Sequence, residues 1–216
     1  MKKIASPLFQ DLSEAELDTL AAAGHLRTRQ FAKHEVIFRA GSCVREIGIV
    51  LRGSVHIENL DLWGTKSILS SAGAGQAFAE TYAFCGEALM VDAVAAEHCE
   101  ILFLHTAAFT DARIEPALQD KLLRRLLAVS MRKNLSLSQR IFCTTPKTVR
   151  GRLLTYFSAQ AARCGRMAFE VPFNRQQMAD YLNLDRSALS KELCKMRDEG
   201  LLEFDKSRFV LKQLPE

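Results

Sequence analysis

The sequence predicts an α+β fold: an antiparallel sandwich or barrel first, one long helix next, and a helix-turn-helix with a β-wing last. Three observations carry this. Short β-rich runs recur between glycines from about residue 27 to residue 106. The stretch 117–142 keeps a helical period without a break. Beyond it, two short helix signatures stand back to back, each with its own cap and stop.

In chain order, SEAELDTLAAA (13–23) opens with Ser13 and has Glu16 three places on, a capping-box pattern for a short helix. The strand-like runs follow: EVIF (35–38), EIGIVLRG (46–53), SVHIE (54–58), KSILS (66–70) and CEILFLH (99–105). Gly41, Gly53, Gly64, Gly73, Gly75 and Gly86 separate them at the spacing expected of turns in an antiparallel sheet. LRGS between two of the runs reads as a tight connection in which Gly53 supplies positive φ.

In ALQDKLLRRLLAVSMRKNLSLSQRIF (117–142), Leu123, Leu127, Ser130, Asn134, Leu137 and Ile141 form a narrow seam at alternating steps of four and three. A seam of that width pairs two helices, and a second copy of the chain is the expected partner; its two polar members can fix register or touch a ligand. Leu122 and Leu126 widen the stripe and allow a different reading, a helix packed on its own β-domain. TTP (144–146) then marks a boundary, with Thr144 or Thr145 capping a new helix and Pro146 in its first turn. The expected boundaries are a β-rich domain at 1–116, a dimerisation helix at 117–143 and a C-terminal domain at 144–216. Within the last, 148–162 is amphipathic and RCGRMAFEVP (163–172) runs into a strand.

The 48% apolar and 25% charged composition of the 216 residues is that of a globular chain, and no stretch is apolar enough to cross a membrane. MKKIASPLFQDLSEAEL reaches Pro7, Asp11 and Glu14 before any apolar core forms, so it does not read as a signal peptide and the expected location is the cytoplasm. The six cysteines (43, 85, 99, 143, 164 and 194) show no paired spacing and are expected to be mostly free, buried thiols. Charge is placed unevenly. Residues 144–216 carry 13 Lys/Arg against 9 Asp/Glu, while 1–143 carry 16 of each, so the whole net charge of +4 lies in the last third. That excess favours a polyanionic partner.

The short helices lie between 173 and 201. Asn174 and Gln177 form a cap pair for the first, with Met178 and Leu182 inward; Asn183 suits the left-handed turn. Asp185 caps the second, Leu189, Leu193 and Met196 are its inner stripe, and Gly200 stops it. Ala179 is small where the two helices cross. LLEFDKSRFVLKQ then reads as two strands around a basic turn at Lys206, Ser207 and Arg208. In such a unit the second helix enters the major groove of double-stranded DNA. Arg186 can donate two hydrogen bonds to guanine, Ser187 and Ser190 reach bases or phosphates, and Lys191 suits either. Arg175 and Arg208 would neutralise backbone phosphates.

FRAGS, LRGSV, GQAFAE (75–80), the long helix and NRQQMADYLNLDRSALSKELCKMRDEGLL occur in the order of the Crp/Fnr superfamily of bacterial transcription regulators, which the chain resembles over nearly its whole length. The resemblance implies a cyclic-nucleotide-binding-type β-roll, a dimerisation helix and a C-terminal winged helix-turn-helix. It also implies a small effector bound between roll and helix, and RNA polymerase as a partner. Two departures bear on the signal. The cAMP-binding branch places an Arg-Ser pair about ten residues after a glutamate; here Glu80 is followed by GEALMVDAV, with Met90 and Val91 in that place. An apolar pair gives a phosphate no counter-charge, so cAMP is not the expected ligand. The iron–sulfur branch carries N-terminal cysteines, and none precedes Cys43 here. Many members also have Glu where Ser187 stands, so their half-site does not carry over.

By the family's geometry the effector pocket would be lined by Phe78, Glu80, Met90, Ser130 and Asn134, all of which also suit core filling. Cys85, beside Gly86, is the favoured thiol for an alternative, redox-responsive regulator. His56, His98 and His105 read as strand residues rather than haem or metal ligands. Two other classes fit less well. A cupin-like metal enzyme needs clustered histidines, and there is neither HxH nor HxxxH; a purely protein-docking helix would show apolar anchors where Arg186 and Lys191 stand. The chain is therefore expected not to be an enzyme.

Overall fold

The computed structural model describes residues 4–60 and 66–212; Gly64, the first three residues of the N-terminal stretch and Gln213 lie outside the described residues. The chain divides into two compact units, 1–132 and 133–216.

In the first unit a 3-10 turn at Pro7–Phe9 precedes α1 (Glu14–Ala22), whose capping box is made: Glu16 N–H donates to Ser13 Oγ at 3.2 Å and Ser13 N–H to Glu16 Oε2 at 2.7 Å. Eight strands follow: β1 (Leu26–Phe31), β2 (Val36–Phe38), β3 (Glu46–Arg52), β4 (Val55–Leu60), β5 (Lys66–Ala72), β6 (Ala77–Phe78), β7 (Asp92–Ala95) and β8 (Cys99–His105). They form two four-stranded antiparallel sheets, ordered β1-β8-β3-β6 and β2-β7-β4-β5. The five expected runs become β2, β3, β4, β5 and β8. Strand β1 carries no such signal: LRTRQF lies on a sheet edge with its middle exposed, so the apolar alternation of a half-buried strand is missing.

Glycine has a definite job at two positions. Gly53 adopts φ +82°, and a Cβ there would lie 2.7 Å from the His98 carbonyl oxygen. At Gly48 a Cβ would stand 2.2 Å from Phe78 Cζ, so the ring lies directly on the β3 backbone. The short helix α2 (Glu80–Cys85) comes straight after that ring. It was not expected, because six residues cannot display a helical period.

Helix α3 (Pro116–Thr144) begins in the first unit and ends in the second. Leu118, Leu122 and Leu126 are buried with Leu17, Leu20, Ile47 and Ile49. The seam residues are turned elsewhere: Leu123, Leu127, Leu137 and Ile141 are 47–66% exposed. One helix thus has both faces that the sequence offered as alternatives.

In the second unit, α4 (Val149–Cys164) starts later than expected. Its cap is Thr148, which accepts from Gly151 N–H at 3.0 Å, and not Thr144 or Thr145. Those two hydroxyls instead donate backwards to the carbonyls of Arg140 (2.9 Å) and Ile141 (2.8 Å), finishing α3. Pro146 disfavours helical backbone at Thr145 and so delays the new start. β9 (Ala168–Glu170), α5 (Arg175–Leu182), α6 (Arg186–Asp198), β10 (Leu202–Asp205) and β11 (Arg208–Leu211) complete the unit, with a sheet ordered β10-β11-β9. Leu153, Phe157, Met178, Leu189, Leu193, Met196 and Phe209 fill its core.

All six cysteines are free, but the expectation that most are buried is wrong. Cys99 and Cys143 are buried; Cys43, Cys85, Cys164 and Cys194 are exposed. Cys85 and Cys164 close helices α2 and α4, where side chains meet solvent.

Candidate nucleic-acid interface

Helix α5 begins with a reciprocal box, Gln177 N–H to Asn174 Oδ1 and Asn174 N–H to Gln177 Oε1, each 2.9 Å. It stops at Asn183, which takes φ +52°. Asp185 then accepts from the N–H groups of Ser187 (2.8 Å) and Ala188 (2.9 Å) and from the Ser187 hydroxyl. These bonds, the hydroxyl's foremost, hold the Asp185 carboxyl below the usual carboxylate range. Leu189, Leu193 and Met196 face the core, and Ala179 is fully buried in the same cluster.

Three arginines fix this pair from behind. Arg140, near the end of α3, donates to the carbonyls of Tyr181 and Asp180 at 3.0 Å each. Arg152, from α4, donates to Leu182 (3.1 Å) and Asn183 (2.7 Å). The open C-terminal carbonyls of α5 are thus capped by cations, which also suits the negative end of the helix. Arg150 reaches Glu192 Oε1 at 2.6 Å and Glu199 Oε2 at 2.8 Å, clamping α6 onto α4; both carboxylates hold the Arg150 pKa above its ordinary value, Glu199 the more. Sequence reasoning missed all three, because each partner lies 30 or more residues away and no local pattern marks it.

The outward side is polar and basic. Arg186, Ser187 and Lys191 are exposed and Ser190 half-buried, on the side of α6 opposite its core stripe. Lys206, at φ +50°, and Ser207 form the wing turn, and Arg208 projects exposed from the start of β11. Arg175 is placed differently from its neighbours. Its guanidinium lies 4.9 Å above the Phe204 ring and 5.1 Å from Phe209, and burial pulls its pKa down.

In the first unit, a cavity of about 240 Å³ lies between α2 and α3, lined by Glu80, Thr81, Phe84, Cys85, Leu123, Leu126, Leu127 and Ser130. Of the expected pocket residues it brings together Glu80 and Ser130. Phe78 is packed over Gly48 in the core, and Met90 is 77% exposed on the surface. Asn134 is exposed and belongs to the second unit. Thr81 and Phe84 went unrecognised because α2 itself did.

Residues 28–113 match the cyclic nucleotide-binding domain model, and residues 151–216 match the Crp-like helix-turn-helix domain model. The chain thus joins a cyclic nucleotide-binding domain to a Crp-like helix-turn-helix domain, a pairing that supports the Crp/Fnr superfamily. The Thermus thermophilus catabolite activator protein is 25% identical, over 96% of this chain and 94% of that one, with a TM-score of 0.50. FixK2 from Bradyrhizobium japonicum is 19% identical, covering 87% of this chain and 93% of that one, at TM-score 0.52. CprK in complex with OCPA is 12% identical, covering 94% and 91%, at TM-score 0.64. Similarity to the latter two is one of fold. No curated protein sequence matches the chain significantly. As a Crp-type transcription regulator, the protein carries a DNA-binding helix-turn-helix and an effector-type β-roll domain.

Proposed function

We propose that this regulator works as a homodimer on double-stranded DNA in the cytoplasm, under the control of a small effector, with RNA polymerase as its partner. The three-part organisation read from the sequence goes with it: sensing at 1–116, dimerisation through 117–143, DNA binding at 144–216. The observation that carries the proposal is the division of labour on α3. One face holds the roll through Leu122 and Leu126, while Leu127 and Ile141 stay 57% and 66% exposed on the seam. Apolar side chains at coiled-coil spacing on an open face are what a second copy covers.

On the DNA, Arg186 reads a guanine, Ser187, Ser190 and Lys191 contact bases or phosphates, and Arg208 neutralises the backbone. The effector occupies the cavity beside Glu80 and Ser130, with Asn134 further along the seam relaying its presence. The cavity is lined mainly by leucines and Phe84, with no Lys or Arg among its described lining residues, and Met90 points to solvent. This favours a small, partly apolar effector over cAMP, whose phosphate needs a counter-charge. Occupancy shifts the population between two arrangements of the DNA-binding domains, with the Thr144–Pro146 segment as the hinge.

Sedimentation of the full chain tests the dimer. Twice the 24.2 kDa chain mass at micromolar concentration is expected, and a monomer would contradict it. Adding cAMP is expected to leave DNA affinity unchanged, whereas the small-molecule fraction of a cell extract raises it. A second reading has support in the exposure of Cys85 on the same cavity: its oxidation in place of ligand binding. Cys85→Ser would then abolish a response to oxidant that the wild type shows.

A further inference from the structure

Phe204 sits between two cations. On β10, two residues before the basic turn, its ring has the Arg175 guanidinium at 4.9 Å and that of Arg197 at 5.6 Å. Arg175 opens α5 and Arg197 lies in the last turn of α6. Both helices of the helix-turn-helix therefore grip one aromatic ring of the wing. The ring is anchored as well: Phe204 pairs across the hairpin with Phe209, which is fully buried against Phe157 at 4.6 Å between centroids.

The other basic residues assigned to DNA are placed differently. Arg208, Lys206, Arg186 and Lys191 extend to solvent, where a phosphate can meet them; Arg175 is half-buried. A guanidinium laid on two rings has lost part of its hydration and gains from the ring quadrupole, and both terms depend on where the ring stands. The hairpin has no comparable ionic tie to α5 or α6 among the described contacts.

We propose that Arg175 and Arg197 are positioning residues that lock the wing to the recognition helix through Phe204. In this role they set the distance between the wing cations, Lys206 and Arg208, and the groove-facing residues of α6. Arg175 acts on DNA through the wing and not through a phosphate of its own. The inference rests on the DNA-binding reading of this domain.

The test uses the full chain and a random-sequence 30-base-pair duplex, with affinity measured across a salt series. Arg175→Met keeps the stem length and removes the cation; Phe204→Leu keeps an apolar side chain and removes the ring face. Each is expected to weaken binding about three- to tenfold in the wild-type background, a range set by typical cation–π strengths. In a Lys206→Ala/Arg208→Ala background the same changes are expected to cost less than about twofold, since the wing then has no cation to place. The salt slope should fall on Arg175→Met only in the wild-type background, where the weakened phosphate contacts are those of Lys206 and Arg208, and should be unchanged by it in the double-alanine background.

Two results would overturn the proposal: no loss of affinity on Arg175→Met, or an equal loss in both backgrounds with a salt slope lower by about one. The second would make Arg175 a phosphate ligand. If Phe204→Leu does not fold, Arg197→Met replaces it with the same expectations. Failure of the wild type to bind the duplex at low salt would refute the DNA-binding reading itself, a result distinct from either.

Discussion

At residue 48 the side chain is a single hydrogen, and the ring of Phe78 rests where a methyl group would be. Gly48→Ala is therefore expected to cost about 1–3 kcal/mol through overpacking. Thermal unfolding reads the loss, and Phe78→Leu in the same chain should recover part of it. At the turn of the helix-turn-helix, Asp185 accepts from the Ser187 hydroxyl and from two backbone N–H groups, which keeps its folded pKa below the unfolded value of about 3.9. A depressed carboxylate stabilises the fold above the unfolded pKa and loses that contribution as pH falls through the folded one. Asp185→Asn keeps a good cap and deletes the charge. The wild type should melt higher than this variant at pH 7, and the two should converge as the pH is taken well below 4; a constant gap would mean that charge is not the cause. Arg186, exposed in the first turn of α6, is assigned a base edge. Arg186→Ala should cost about 1–3 kcal/mol of discrimination at one base pair per half-site, measured against a panel of variant sites.

Among the elements, helix α3 shows how far a sequence can be read. Its period gave both the seam and the competing stripe; the fold buries the stripe at Leu122 and leaves the seam open at Leu127. Periodicity names the apolar positions but not their partners, which is why both readings stood open in the sequence. The helix-turn-helix was legible almost to the residue, since Asn174, Asn183, Asp185 and Ala179 act through local backbone chemistry. Elements whose cause is not local were invisible. Strand β1 exists because β8 pairs with it, and the Arg140 and Arg152 caps exist because α5 happens to end beside them. The pocket suffered most: Phe78 and Met90 were placed by family analogy, and packing sent one into the core and the other to solvent. For the seam, Leu127→Glu should convert the protein to a monomer in sedimentation without lowering its melting temperature much, because the residue is 57% exposed within the chain. A dimer that survives the change would place the interface elsewhere.

For the molecule as a whole, the distribution of charge matters more than its sum. The excess of Lys/Arg is confined to residues 144–216, the part that carries the recognition helix and the wing. Binding should therefore weaken steeply with salt, in proportion to the phosphates contacted. A homodimer makes a sharper geometric claim: two recognition helices related by a twofold axis read half-sites about one helical turn apart. The most direct measurement is selection of genomic DNA fragments by the full-length protein, with and without the small-molecule fraction of a cell extract, followed by sequencing. The expected result is a twofold-symmetric motif of that spacing, enriched more strongly when the effector is supplied. Enrichment of an unpaired half-site would contradict the dimer, and no enrichment under either condition would contradict the assignment of this basic face to DNA.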